Sequence, residues 1–450
     1  MEDILNRAMP ILKPLWAAGA QAYLVGGCVR DTLLGRPVHD LDVATSALPQ
    51  QVKEIFAECR VVDTGIKYGT VTLVCAAGAV EITTFRREGT YSDHRRPDGV
   101  SFTSSLEEDL KRRDFTINAM ALGAEGLVDF FDGQGDLRAG LLRCVGDADA
   151  RLREDALRVL RGLRFAATLD MELEEATARA IERNAPMLAG IAQERITVEL
   201  MRILCGDAAG RVLVDFPGVM EILIPELGPS IGFDQKTPYH CYDVYTHCVK
   251  VIEHVPPKLA LRLAALLHDV AKPATFQQDQ TGVGHFPGHA LAGAEMVETI
   301  LPRLRLDKQT QRDVPLLIAH HSMIRTLQVQ EVPKLLAQLG PELFFDLVDL
   351  GYGDSRAKPE PEVSLEKHWE RLRQTAKLAL NRGICLDVKD LAVDGGDVMA
   401  AGFSGVEVGM VLRTLLNLVL EGDMENQRKL LLRQIARMRG QMPQPEGRQR

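Results

Sequence analysis

The chain reads as an α/β head followed by a longer, all-helical part, and three observations carry that reading. Short apolar runs of strand composition, separated by helix-like stretches, fill the sequence up to about Val145. From Arg151 onward the apolar spacing becomes 3.6-like, as in Leu157, Leu160 and Leu163 or Val198, Leu200, Met201 and Leu204. The segment Leu227–Pro238 is rich in Gly and Pro and reads as a linker between helical stretches. With 450 residues, 46% of them hydrophobic, the chain can fill more than one core, because single cores stop growing near ~250–300 residues.

The head's strands are expected at Tyr23–Val25, Asp40–Val43, Thr70–Cys75 and Val80–Phe85. Gly26 and Gly27 close the first strand and precede a helix starting near Val29. Glycines there let backbone N–H groups approach a phosphate, the helix start adds positive partial charge, and Arg30 would clamp a triphosphate. In the next strand Asp40 and Asp42 point one way while Leu41 and Val43 point into the core. Two carboxylates held together repel, and a hard divalent cation such as Mg²⁺ relieves that repulsion. A metal pair ~3.5–4 Å apart can activate a hydroxyl and neutralise a leaving pyrophosphate.

Gly26-Gly-x-x-Arg30-Asp31 followed by Asp40-x-Asp42 resembles the head of the polymerase-β nucleotidyltransferase superfamily, in its class II tRNA nucleotidyltransferase and bacterial poly(A) polymerase branch. Arg112-Arg113-Asp114-Phe-Thr-Ile-Asn-Ala-Met120 matches a further family segment, and Asp132-Gly-x-Gly-Asp-Leu137 a short acidic turn. Glu154-Asp155-Ala-Leu-Arg158-Val-Leu-Arg161-Gly-Leu-Arg164-Phe165 matches the family's recognition helix. On one helix Asp155, Arg158 and Arg161 would share a face. The resemblance implies that Asp155 and Arg158 read the Watson–Crick edges of CTP and ATP, while Arg161 and Arg164 hold the triphosphate or the RNA end. It also offers Glu81 as a third acid beside Asp40 and Asp42; on the residues alone Glu81 fits an exposed strand position equally well. Arg86–Val100, with Tyr-x-Asp-x-Arg-Arg-Pro, reads as a mobile loop, and in CCA-adding relatives such a loop accompanies addition of the terminal A.

A second chemical site follows the linker. Eight of eleven histidines lie between His240 and His321. His247, His268-Asp269 and Asp354 match the one-metal pattern of an HD-type phosphohydrolase, and His289 with either His320 or His321 matches ligands for a second metal. Imidazole with carboxylate suits a divalent transition metal (Mn, Co, Ni, Zn or Fe). Lys272 either holds a phosphate or is an ordinary solvated lysine. The part from Leu391 to Arg413 resembles the helical tail that contacts tRNA in such enzymes; on its residues alone it is a packing domain.

The expected organisation is a polymerase-β-like nucleotidyltransferase head at 1–145, a helical neck for nucleotide recognition and RNA binding at 146–230, an HD domain at 240–356, a helical tail at 365–440, and a disordered end at 441–450. The implied activity is template-independent addition of CCA, or its terminal A, to tRNA 3′ ends from CTP and ATP, with phosphohydrolase activity on RNA ends or nucleotides. The alternatives are a bacterial poly(A) polymerase and, from another class, an HD hydrolase whose head only docks RNA. Net charge is −9, so any RNA contact depends on local patches such as Lys111–Arg113 and the five arginines from Arg151 to Arg164. Eight cysteines without a Cys-x-x-Cys pair suggest a reducing cytoplasm. Glu2 and Asp3 in place of a basic leader, and no ~18-residue apolar run, argue against a signal peptide and a membrane partner. Nothing in the sequence points to an oligomeric state.

Overall fold

A computed structural model describes the chain except residues 76–77, 90–98, 238–240, 359–362 and 442–450. The Tyr91–Pro97 motif and the expected disordered end therefore lie outside the described residues, apart from Gln441. The chain divides into two units, Met1–Gly228 and Pro229–Arg450.

In the first unit, helix α1 (Glu2–Ala17) leads into strand β1 (Ala22–Val25), helix α2 (Gly27–Leu33), strand β2 (Asp42–Thr45) and helix α3 (Pro49–Ile55). Strands β3 (Arg60–Gly65), β4 (Thr70–Cys75), β5 (Gly78–Thr84), β6 (Arg86–Glu88) and β7 (Val100–Phe102) follow. Helix α4 (Leu106–Lys111), strands β8 (Met120–Gly123) and β9 (Gly126–Asp129), and helix α5 (Gly133–Ala139) complete the head. Seven strands form one sheet in the order β3-β4-β5-β2-β1-β8-β9, in which only β2 and β5 run parallel.

Period-two alternation gives the sheet two faces. Val43, Ile82, Leu24 and Leu122 pack against Ile4, Ala8, Ile11, Leu12 and Leu15 of α1, whose spacing is one helical stripe despite Pro10 and Pro14. Ala44, Val25 and Ala121 pack on the opposite face with Phe85, Leu106 and Leu110. Asp42 shares that second face, away from α1.

Several expectations need correction. Strand β2 begins at Asp42, so Asp40 lies before it and is exposed; the inward alternation still holds, since Leu41 and Val43 are both buried in the α1 core. Helix α2 starts two residues earlier than expected, at Gly27. The acidic turn from Asp132 opens α5. The loop after β5 begins and ends as a paired ribbon, β6 with β7. Strands also do not stop at Val145: Leu141–Leu142 pairs with Glu172–Leu173, and Gln277–Gln278 with Gly284–His285.

The first unit continues with helices α6 (Ala148–Glu154), α7 (Leu157–Leu169), α8 (Glu175–Asn184) and α9 (Gln193–Leu204). Gly162 of α7 sits where a β-carbon would meet Ile181 at 3.0 Å and Phe115 at 3.2 Å, so its lack of a side chain permits this packing. The second unit, among its described residues, is helical apart from the small 277–285 ribbon. Its helices at Val244–Glu253, Leu259–Leu267, His289–Arg303, Lys308–His320 and Pro341–Arg356 carry the histidine-rich region. A separate core from Cys385 to Ile435 closes the C-terminal part. No helix of the described residues is long and apolar enough to cross a membrane.

Candidate functional site

The parallel pairing of β2 with β5 puts Asp42 in register with Glu81, at the edge of a cleft of about 770 Å³. Burial, Glu81 and Asp40 push the Asp42 carboxyl up, against the opposing pull of Arg113. This all-oxygen, mutually repelling set fits a hard divalent cation. Gly26 turns the chain at φ +74°, and a β-carbon there would meet Arg113 Nη1 at 3.0 Å and lie 3.7 Å from Asp42 Oδ2. Glycine is therefore needed both for the conformation and for the close approach.

Eight arginines line the cleft (Arg30, Arg86, Arg112, Arg113, Arg158, Arg161, Arg164 and Arg195) against four carboxylates (Asp42, Glu81, Asp114 and Asp155). Most are already tied down. Arg30, expected to clamp a triphosphate, chelates Asp31 at 2.9 Å through Nε and Nη2 and donates to Asn118 at 2.7 Å. It also lies over the face of Phe165, 5.0 Å away. Asp31 itself does not line the cleft. Arg112 and Arg113 are held by the fully buried Asp109. Arg113 Nε is buried with no hydrogen-bond partner. Asp114 is also buried. It accepts from the Phe115 amide at 2.8 Å, Asn118 at 3.1 Å and Arg161 Nε at 2.8 Å. Burial opposes its charge, yet Arg161 and Arg158 hold it well below the usual carboxylate range.

The shared helix face expected for Asp155 is not observed. Asp155 is the extended residue between α6 and α7 (φ −136°, ψ 107°), and its Oδ1 accepts from the Leu157 amide at 3.1 Å, as a cap does. Its other oxygen accepts from Arg195 at 3.2 Å. Arg158 donates to the Arg151 carbonyl at 2.9 Å and the Arg112 carbonyl at 3.2 Å, and pairs with Glu154. Both residues reach the cleft, braced by protein partners. Arg164 pairs with Glu199 and stacks 3.9 Å over Phe165, which also carries Arg161 at 5.5 Å. Sequence reasoning did not single out Asp109, Asn118, Tyr68 or Arg195. Asn118 stood inside the quoted Arg112–Met120 segment, whereas Arg195 had only helical spacing to recommend it.

In the second unit a histidine cluster surrounds Asp269. Its Oδ1 lies 3.4 Å from His289 Nε2 and 3.7 Å from His321 Nε2, and its Oδ2 lies 3.2 Å from His268 Nε2 and 3.7 Å from His247 Nε2. Asp354 Oδ1 meets His247 Nε2 at 3.0 Å, and Arg325 braces its other oxygen at 3.1 Å. His268, His289 and His321 each place Nδ1 on a backbone carbonyl, of Ala265, Phe286 and Ile318 at 2.9, 2.8 and 2.6 Å. A carbonyl only accepts, so Nδ1 carries a proton and each Nε2 is turned inward toward Asp269, the orientation metal-binding histidines take. His268 Nε2 is buried without a hydrogen bond, an orphan a cation would satisfy. Between the adjacent candidates, His321 joins the cluster; His320 turns to the Leu316 carbonyl at 2.8 Å and is outside it. Lys272 bonds Asp269 at 2.7 Å and Gln235 at 2.8 Å, so it is neither solvated nor presented as a free phosphate donor. Burial opposes charge on Asp269, while His268 and Lys272 hold it well below the carboxylate range.

Residues 22–143 match the poly A polymerase head domain, 170–230 the domain described as "Probable RNA and SrmB- binding site of polymerase A", and 237–348 the HD domain. Each of the three matches spans less than half of the chain, and they follow one another in the order head, RNA-binding segment and HD domain. Among its relatives, the CCA-adding enzyme of Lactobacillus delbrueckii subsp. bulgaricus is 50% identical over 215 residues, covering 48% of this chain and 54% of that one. That of Lactiplantibacillus plantarum is 54% identical over 201 residues, covering 44% and 49%. The chain thus spans about half the length of the curated relatives it matches. The structure of the Bacillus stearothermophilus CCA-adding enzyme in complex with CTP aligns over 96% of this chain and 97% of its own, with 28% identity and a TM-score of 0.70. The Thermotoga maritima CCA-adding enzyme complexed with tRNA shares the fold at 20% identity, TM-score 0.59, over 97% and 95% of the two chains. A polymerase head domain and an HD domain together imply dependence on divalent metal.

Proposed function

We propose that this protein is a template-independent tRNA nucleotidyltransferase that adds CCA, or its terminal A, to tRNA 3′ ends from CTP and ATP. The observation that carries the proposal is the Asp42–Glu81 pair at the edge of an arginine-lined cleft. Asp42 and Glu81, with the nearby charge of Asp40, would hold Mg²⁺, which supplies activation of the attacking hydroxyl and neutralisation of the departing pyrophosphate. The chain's own residues do the rest. The Gly26-Gly27 turn and Arg113 receive the triphosphate. Asp155 and Arg158 present an acceptor and a donor fork to the base edge, which requires them to exchange their present protein partners for the nucleotide. Phe165, stiffened by three guanidinium groups, forms the floor beneath them.

The histidine cluster is read as a phosphohydrolase centre for RNA ends or nucleotides, with His247, His268, Asp269 and Asp354 holding one transition metal and His289 with His321 completing a second position. Domain limits of 1–145, 146–230, 240–356 and 365–440 accompany this reading, and eight cysteines without a Cys-x-x-Cys pair favour a cytoplasmic protein. Incubating labelled CTP and ATP with tRNA transcripts ending before CCA, after C and after CC tests the assignment. Stepwise addition that stops at CCA supports it. Addition to the CC-ended transcript alone marks an A-adding enzyme, long A tails a poly(A) polymerase, and no incorporation refutes the transferase.

A further inference from the structure

We infer that Cys248 is a ligand of the histidine centre, making it a mixed nitrogen, oxygen and sulfur site that prefers a thiophilic cation such as Zn²⁺, Co²⁺ or Cd²⁺ over Mn²⁺ or Mg²⁺. This rests on the reading of the cluster as a metal centre.

Cys248 follows His247 on the Val244–Glu253 helix and is buried, with 2% of its surface exposed. A buried cysteine usually serves as a small apolar side chain. Here, however, its Sγ groups with one ligand atom each of His268 and Asp269, all three within 4.8 Å of one another. An independent observation marks the same spot as wanting a ligand. His268 is 1% exposed, its Nδ1 is spent on the Ala265 carbonyl, and its Nε2 is buried without a hydrogen-bond partner. His268 Nε2 is thus a buried nitrogen 3.2 Å from the Asp269 carboxylate, on a residue that also groups with the Cys248 sulfur. His247 groups with His268 and Asp354 on the same criterion, so the two neighbours on one helix belong to adjoining groups that share His268.

Ligand softness then separates the candidate metals. Carboxylate and imidazole alone accept Mn²⁺, whereas a thiolate shifts the balance to softer ions. On binding, the Cys248 S–H bond breaks, a sulfur–metal bond forms, and the proton leaves to solvent, so uptake becomes proton-releasing and pH-dependent.

The test is Co²⁺ titration of the full metal-free protein, followed by absorption spectroscopy and by competition with a chelator, in wild type, Cys248→Ser, Cys248→Ala and His268→Ala. The expected result is a near-ultraviolet sulfur-to-cobalt charge-transfer band in wild type that both Cys248 variants lose. Their preference for Cd²⁺ over Mn²⁺ should also fall by about tenfold or more. Cobalt bound in wild type and lost in His268→Ala, with no such band or with a band that survives in Cys248→Ser, overturns the assignment and leaves the metal centre standing. No cobalt that His268→Ala removes overturns the metal centre itself. Serine nearly matches the shape of cysteine, and the wild-type spectrum needs no variant, so a misfolded alanine variant does not blunt the test.

Discussion

Replacing Glu81 with glutamine should make the protein more stable without metal and disable it as a transferase. The Asp42–Glu81 pair sits in register on adjacent parallel strands, where neighbouring chains lie about 4.8 Å apart. Two unit charges at about 5 Å repel by about 0.8 kcal/mol at the dielectric of water and about 3 kcal/mol at an effective value of 20. Glu81 is exposed, so the lower end governs, and removing its charge should stabilise the metal-free protein by about 1 kcal/mol at pH 7. The sign follows from the raised Asp42 carboxyl. A carboxyl pushed up in the fold costs stability as pH rises from its unfolded toward its folded value, and the Glu81→Gln substitution removes part of that cost. Mg²⁺ should reverse the order: at ten times its dissociation constant a cation adds about 1.4 kcal/mol to wild type, and the variant should gain much less. Urea unfolding of both proteins with and without Mg²⁺, beside nucleotide incorporation, measures each part. Losing a metal-binding carboxylate worth several kcal/mol at the transition state should cost about 10²-fold or more in rate. A variant less stable than wild type without metal, or equally stabilised by Mg²⁺, would refute the idea that Glu81 and Asp42 share a cation.

In the histidine centre, His321→Ala should lose the second of two bound transition metals and lower hydrolysis while His320→Ala retains both metals and full activity, as metal analysis and phosphodiester assays would report. Asp114→Asn should destabilise the first unit by about 2 kcal/mol at pH 7, below the ~3–5 kcal/mol of a fully buried pair because Arg161 is 36% exposed. Since Asp114 is held low in the fold, its contribution is complete above the unfolded value near ~3.9 and is lost as pH falls toward the folded one. Denaturation curves of the two proteins should therefore converge in acid. Gly133→Ala would drive a β-carbon to 2.4 Å from the Thr116 carbonyl. A loss of about 2–3 kcal/mol should accompany weaker nucleotide binding, because that turn carries Asn118.

Asp42 was legible because alternation is a short-range rule: Leu41 and Val43 go inward, so Asp42 goes outward, whatever the distant chain does, whereas Asp40 falls before the strand. Glu81 needed a partner strand, and only a family resemblance raised it above an exposed strand residue. The recognition segment failed locally for a definite reason. Spacing of three suggests one helix, and neither Gly nor Pro marks the break at Asp155. The edge strand β3 was missed because its side chains are mostly exposed and show no alternation. His320 and His321 could not be separated by sequence, since adjacent residues at a helix end differ only in where the last turn points them.

The lone parallel pair in the sheet has a consequence for how the protein comes into being. β2 and β5 can join only across a crossover of more than thirty residues, a closure whose entropic cost grows with the logarithm of its length. β8 then adds itself beside β1 from farther along still. A chain emerging from the ribosome therefore holds Asp42 well before it holds Glu81, and it lacks the finished sheet until Asp129 has been made. High contact order of this kind slows folding, and it means that the Asp42–Glu81 edge of the cleft is completed late in synthesis, only after the head's topology has closed.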